Sequence, residues 1–232
     1  KGDRLQVFVQ AAIAIFVVNI VVVSIFSLLG ARDIQGVLEL WFASAAAAIG
    51  SSIAAVGTFA VLGSVFGILT VFQLLELANP SQPLLRRLLV ETPGTYHHSL
   101  MVGNLAERAA EAIGADPLVT RVAAYYHDVG KINKADYFVE NQVGGENRHI
   151  NLSPSVSLLI IIGHVKDGIE LAREYNLPTS IFPFIQQHHG TTLVEYFYHQ
   201  ACKREGEDGQ GVSDSQFRYP GPKPRTRETV IL

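Results

Sequence analysis

Two long uncharged runs limit what this chain can fold into more than any other feature. Leu5–Ala31 contains no Asp, Glu, Lys or Arg, and neither does Leu40–Leu75. A helix that crosses a bilayer needs about 20 apolar residues. The apolar region of a cleaved secretory signal is shorter, about 7–15 residues, so the first run reads as a transmembrane helix at about 5–29. As one straight helix the second run would reach about 54 Å, against a hydrocarbon core of about 30 Å. The second transmembrane helix is therefore expected at about 37–59, with a connector leaving the bilayer up to residue 78. Lys1 and Arg4 precede the first run, Arg86 and Arg87 follow the second, and Arg32 stands alone between them. Basic residues accumulate on the cytoplasmic side. The chain thus reads as a multi-pass cell-membrane protein: a membrane region, 1–78, and a cytoplasmic domain, 79–232. The single cysteine, Cys202, excludes an internal disulfide and suits a reducing compartment. A net charge of −3 leaves no footprint for a nucleic acid polymer.

The cytoplasmic part reads as all-α, without an internal repeat. Asp116-Pro117 and Ser153-Pro154 each pair an N-cap side chain with proline in the first helical turn. Gly114 is placed to stop a helix over Tyr96–Ile113. Further helices are expected over Pro117–Asp128, from Pro154 onward, from Pro178 to His189, and over Thr192–Ala201. Residues 203–227 are rich in glycine, proline and charge, and are expected to form a mobile loop.

The chemistry concentrates at Tyr125–Lys131, Tyr-Tyr-His-Asp-Val-Gly-Lys. His127 can hold one metal ion, and the Asp128 carboxylate can bridge two. Gly130 is expected at a helix C′ position in the left-handed conformation. Lys131 would stand at the mouth of the site as a point charge for an anionic oxygen. His98, His164, His188 and His189 lie near helix ends or on separate helices, so a bundle can turn them toward one cavity. Neutral imidazoles with a carboxylate suit a first-row transition metal, and so many ligands suit two ions sharing Asp128. Two such ions can acidify a bridging water and clamp both oxygens of an in-line displacement at phosphorus. His97, His149 and His199 are read as solvated or structural.

His98, His127-Asp128 with Gly130-Lys131, His164 and His188-His189 resemble the HD-domain metal-dependent phosphohydrolases. Glu91–Ser99, Tyr125–Lys131, Tyr137–Gln142 and His188–Val194 are similar to the seven-transmembrane HD family, as is the linker Leu75–Arg87. The resemblance implies two transmembrane helices followed by a helical HD bundle. It implies hydrolysis of cyclic di-AMP to linear pApA by a metal-bridging hydroxide. It also implies two divalent ions, manganese or iron, one on His98, His127 and Asp128 and the other on Asp128, His164, His188 and His189. Asp128 and Lys131 would be catalytic, with Lys131 and Thr191 contacting the cyclic dinucleotide. Beside the lipid bilayer, a homodimer is left open as a partner.

The family pattern has one further aspartate ligand in a later helix, and an extracytoplasmic domain with further membrane helices upstream. The sequence reaches Leu232 before such an aspartate. The expectation is therefore a fragment, with a truncated HD domain of reduced or no activity. Two alternatives are weighed: an HD phosphodiesterase for another cyclic dinucleotide, and a non-catalytic nucleotide-binding signalling module. Against the Gly-Tyr-Pro type of HD enzyme, Gly190-Thr-Thr-Leu follows the histidine pair.

Overall fold

The computed structural model describes residues 3–30, 33–65, 69–142, 144, 147–204 and 211–232. The chain divides into two compact units, Lys1–Phe66 and Gly67–Leu232.

The first unit is a pair of contacting helices, α1 (Asp3–Leu29) and α2 (Ile34–Val65). Apolar segments long enough to cross a membrane run over Val9–Leu29 and Ile34–Gly63. Most of their large side chains are exposed, including Phe26, Leu28, Phe42 and Ile53, an arrangement suited to lipid rather than water. Small residues let the helices approach: Ser27, Ser44 and Ala48 are buried. The second apolar helix is longer than the expected 37–59. No proline interrupts Ile34–Val65, so hydrogen bonding continues past the length of a span.

The second unit is helical, and the described residues form no sheet, only an isolated bridge between Leu193 and Arg218. Its helices are α3 (Val71–Leu77), α4 (Pro83–Glu91), α5 (Pro93–Ile113), α6 (Pro117–Ala124), α7 (Pro154–Glu174), α8 (Phe182–Gln187), α9 (Glu195–Arg204) and α10 (Arg227–Ile231). Local chemistry sets several boundaries. Asp116 Oδ1 accepts from the backbone N–H groups of Leu118 and Val119 at 3.0 and 3.1 Å. Ser153 Oγ accepts from Val156 at 3.3 Å. Gly114 ends α5 at φ 69°. Gln82 caps α4, its side chain accepting from Leu84 and Leu85.

The main core joins Leu84, Leu85 and Leu88 of α4 to Val122, Tyr126, Val129, Ile181 and Ile185. Tyr126 is fully buried and its hydroxyl donates to the Leu77 carbonyl at 2.6 Å, anchoring the stretch that carries His127 and Asp128.

Three expectations need correction. α6 stops at Ala124 instead of reaching Asp128, and successive turns carry the chain into a 3-10 segment, Val129–Tyr137. Gly130 is not among the left-handed glycines. It is needed for close approach: a Cβ there would lie 1.8 Å from the His164 carbonyl oxygen and 2.4 Å from the Gly168 nitrogen. The third concerns 203–227. Lys203 and Arg204 belong to α9, and 205–210 lie outside the described residues. From 211 onward the chain is a packed strap in which Phe217 and Tyr219 are buried. Val194 N–H donates to Phe217 O at 2.8 Å, and Tyr219 N–H to Thr192 O at 3.0 Å. Turn-rich composition marks irregular backbone, but burial of two aromatics decides that it packs.

Candidate metal centre

Four separate segments deliver the site. His98 stands on α5; His127 and Asp128 follow α6; His164 lies in the middle of α7; His188 and His189 close α8. Gly190, at φ 52°, turns the chain away directly after them. The contact between Gly130 and the α7 backbone at His164 fixes the distance between two of these segments.

Asp128 lies at the centre, and each of its oxygens faces a different imidazole set. Oδ2 is 3.1 Å from His127 Nε2 and 3.8 Å from His98 Nε2. Oδ1 is 3.3 Å from His164 Nε2 and 3.5 Å from His188 Nε2. Two groups could each hold an ion: His98, His127 and Asp128; and Asp128, His164, His188 and His189. In each, the ligand atoms lie within 4.8 Å of one another.

The second ring nitrogens decide which atoms are free to ligate. His127 Nδ1 lies 2.7 Å from Ala124 O, His164 Nδ1 2.6 Å from Ile161 O, and His188 Nδ1 3.0 Å from Ile185 O. A carbonyl only accepts, so each Nδ1 carries a proton, and each ring offers an Nε2 lone pair inward once it is neutral. His164 Nε2 and His188 Nε2 then face each other at 3.2 Å. With both rings neutral, two lone pairs at that distance, beside an Asp128 Oδ1 that is buried without a hydrogen bond, call for a cation, a proton or a metal ion. The donor set therefore fits divalent metal ions.

Charge is arranged accordingly. Burial works against ionised Asp128, but the neighbouring imidazoles, His127 first, outweigh it and hold the carboxyl well below its usual range. Burial pulls His127 down, yet the Asp128 charge prevails and raises it. His188 is lowered, chiefly by burial. Burial together with His188 and His164 pushes His189 down to about 2, so it stays neutral and able to ligate.

Lys131 does not stand alone at a mouth. Its Nζ lies 2.9 Å from Asp128 Oδ2 and 2.8 Å from Glu140 Oε1, over the Phe138 ring. Burial lowers it, but the two carboxylates win and keep it above its ordinary value. Thr191 is not drawn into the cluster by any contact among the described residues; its carbonyl accepts from Arg218 Nη1 at 3.2 Å, on the strap. His97 and His199 are exposed. His149 is half-buried, with Nε2 2.9 Å from Tyr137 O.

Two further side chains, Glu140 and Tyr219, stand at the site without a role legible in the sequence. Tyr219 stacks on His189, with centroids 4.1 Å apart and planes at 21°, and meets His164 edge-on. Its only sequence signal was an aromatic inside a segment read as mobile. Glu140 was visible only as part of the Tyr137–Gln142 motif.

The HD domain family model matches residues 95–232. The chain is 42% identical over 234 residues to the cyclic-di-AMP phosphodiesterase PgpH of Bacillus subtilis (strain 168), with 100% of this chain and 32% of that protein covered. It is 48% identical over 183 residues to PgpH of Listeria monocytogenes serotype 1/2a, covering 79% of this chain and 25% of the relative. It thus spans a third or less of the length of these curated relatives. Among solved structures, the L. monocytogenes PgpH HD domain in complex with cyclic-di-AMP is similar at a TM-score of 0.62 and 48% identity. That match covers 66% of this chain and 70% of the other.

Proposed function

The chain belongs to the HD-domain family, and from that premise we propose that it is a membrane-anchored, metal-dependent phosphodiesterase that opens cyclic di-AMP to linear pApA. The observation that carries the reading is the Asp128 carboxylate, with one oxygen toward each imidazole set. The likeness to two PgpH phosphodiesterases, and to an HD domain solved with cyclic-di-AMP, supports the substrate class.

His98, His127 and Asp128 would hold one divalent ion, and Asp128, His164, His188 and His189 the other. Manganese and iron both suit imidazole and carboxylate donors. When bound, such ions supply Lewis acidity at phosphoryl oxygens and lower the pKa of a bound water. The rest of the work belongs to the chain. The backbone carbonyls fix three imidazole tautomers. Asp128 stays ionised, and Lys131 offers a positive charge beside the site for a phosphodiester oxygen. His98, half exposed, leaves the flank through which a dinucleotide would enter. Lys131 remains the proposed catalytic and substrate contact. Thr191 keeps a weaker case, resting only on its place after the histidine pair. The two apolar helices are compatible with anchoring in the cell membrane, with the HD domain, 79–232, in the cytoplasm as the basic residues indicate.

The test is turnover. The purified membrane-inserted protein, loaded with Mn2+ and with metal content measured, is expected to convert cyclic di-AMP to pApA; cyclic di-GMP serves as the competing substrate. A folded, metal-loaded protein that leaves cyclic di-AMP intact overturns the reading. Tight binding without turnover would favour a nucleotide-binding signalling module.

A further inference from the structure

Lys131 is held from two sides by carboxylates of opposite duty. Asp128 must present its oxygens to metal ions, and an ammonium resting on Oδ2 competes with that role. Glu140 is turned the other way. Its Oε1 takes Lys131 Nζ at 2.8 Å and Thr95 Oγ1 at 3.2 Å. Asn141 closes the arrangement: its Oδ1 accepts from Thr95 N–H at 3.1 Å, and its Nδ2 donates to Thr95 Oγ1 at 2.8 Å. Thr95 is fully buried at the first turn of α5, three residues before His98. Gly94 seals the backbone: a Cβ there would fall 1.8 Å from the Glu140 carbonyl oxygen. A lysine side chain is long and rich in rotamers, and does not hold one place without partners.

We propose that Glu140, locked by Thr95 and Asn141, is a positioning residue that shares the Lys131 ammonium with Asp128, so that a metal ion can take the carboxylate while Glu140 keeps the ammonium in reach of the substrate phosphate. The same network ties the start of the His98 helix to the segment that carries Lys131. One lock therefore sets both the open-side histidine and the catalytic cation. The proposal rests on the metal-dependent reading above, but its first readout needs neither metal nor turnover.

That readout is reductive methylation of Lys131 in the metal-free, full-length chain, followed by mass spectrometry. Glu140→Ala is expected to raise the methylation rate of Lys131 at least about fivefold while other lysines keep theirs; Glu140→Gln, which retains an acceptor, should fall between. Equal rates in wild type and Glu140→Ala overturn the proposal, whatever the activity. The second readout is Mn2+ affinity. Glu140→Ala should weaken it about tenfold, within the usual range for partners of metal ligands. Lys131→Met/Glu140→Ala should return it to within about threefold of wild type, because no ammonium remains to compete. Additive losses would mean that Glu140 acts on the fold and not through Lys131, and would sink the idea. If both readouts hold while cyclic di-AMP is not hydrolysed, the positioning role stands and the substrate assignment falls.

Discussion

On one flank of Asp128 a ligand side chain, His98, reaches solvent beside the buried His127, and on the other the side chains of His164 and His188 are closed off. The His98 side chain is 48% exposed, whereas those of His164 and His188 are 1% and 4% exposed. His98 comes from the outer side of α5. His164 is pressed between Phe138, His188, His189 and Tyr219. Closed metal sites are generally structural, and open ones keep room for water or substrate. On the metal-dependent reading proposed above, exchange and chemistry would belong to the His98 flank and permanence to the His164 flank, with Asp128 as the joint between them.

The largest expected effect comes from removing the joint. Asp128→Asn should lower Mn2+ affinity on both flanks and cut turnover by more than about a hundredfold, since even partners outside the ligand set cost 10–100-fold. If only one flank loses metal, by titration and metal analysis, the shared-carboxylate picture is broken. Next is Gly130→Ala. The added methyl meets backbone, not a flexible tip, so destabilisation of at least about 3 kcal/mol is expected. It should read as a drop of about 6–12 °C in thermal midpoint, with the closed flank losing metal first. A midpoint within a degree of wild type would show that α7 can retreat without cost.

Tyr219→Ala removes the ring stacked on His189, and should weaken closed-flank affinity about 10–100-fold while His98 and His127 still bind. Tyr219→Phe keeps the stack and should stay within about threefold of wild type. Equal losses on both flanks would argue that the strap serves the whole bundle.

The smallest effect is in pH. Protons compete with metal for imidazole, so a raised pKa hands the ligand to the proton earlier as pH falls. His127 is raised, while its flank partner His98 is lowered, chiefly by burial, as are His188 and His189 on the closed flank. Between about pH 8 and 6 the open flank should therefore lose affinity by a few fold, through His127 alone, and the closed flank should lose less. The reverse order in paired titrations would contradict the charge arrangement.

The residues that could be read from the sequence share one property: their role is settled within a few positions of themselves. Asp116 and Ser153 cap the next turn, Gly114 ends its helix, and the uncharged runs exceed any ordinary soluble helix. Gly130 was misread because its reason lies 34 positions away, at the carbonyl of His164. Tyr219 was missed because its partner, His189, sits on another segment. Glu140 was missed because a carboxylate nine residues from a lysine has no helical register that signals the pairing.

By itself the sequence determined the helical class, the apolar pair, the donor types and the residue they would gather around, since periodicity, caps and imidazole chemistry are local properties. Only the tertiary structure decided which Asp128 oxygen faces which histidines, which flank is closed, and where Lys131 is held. Those are distances between segments far apart in the chain, set by how closely backbones pack, and no local pattern encodes them.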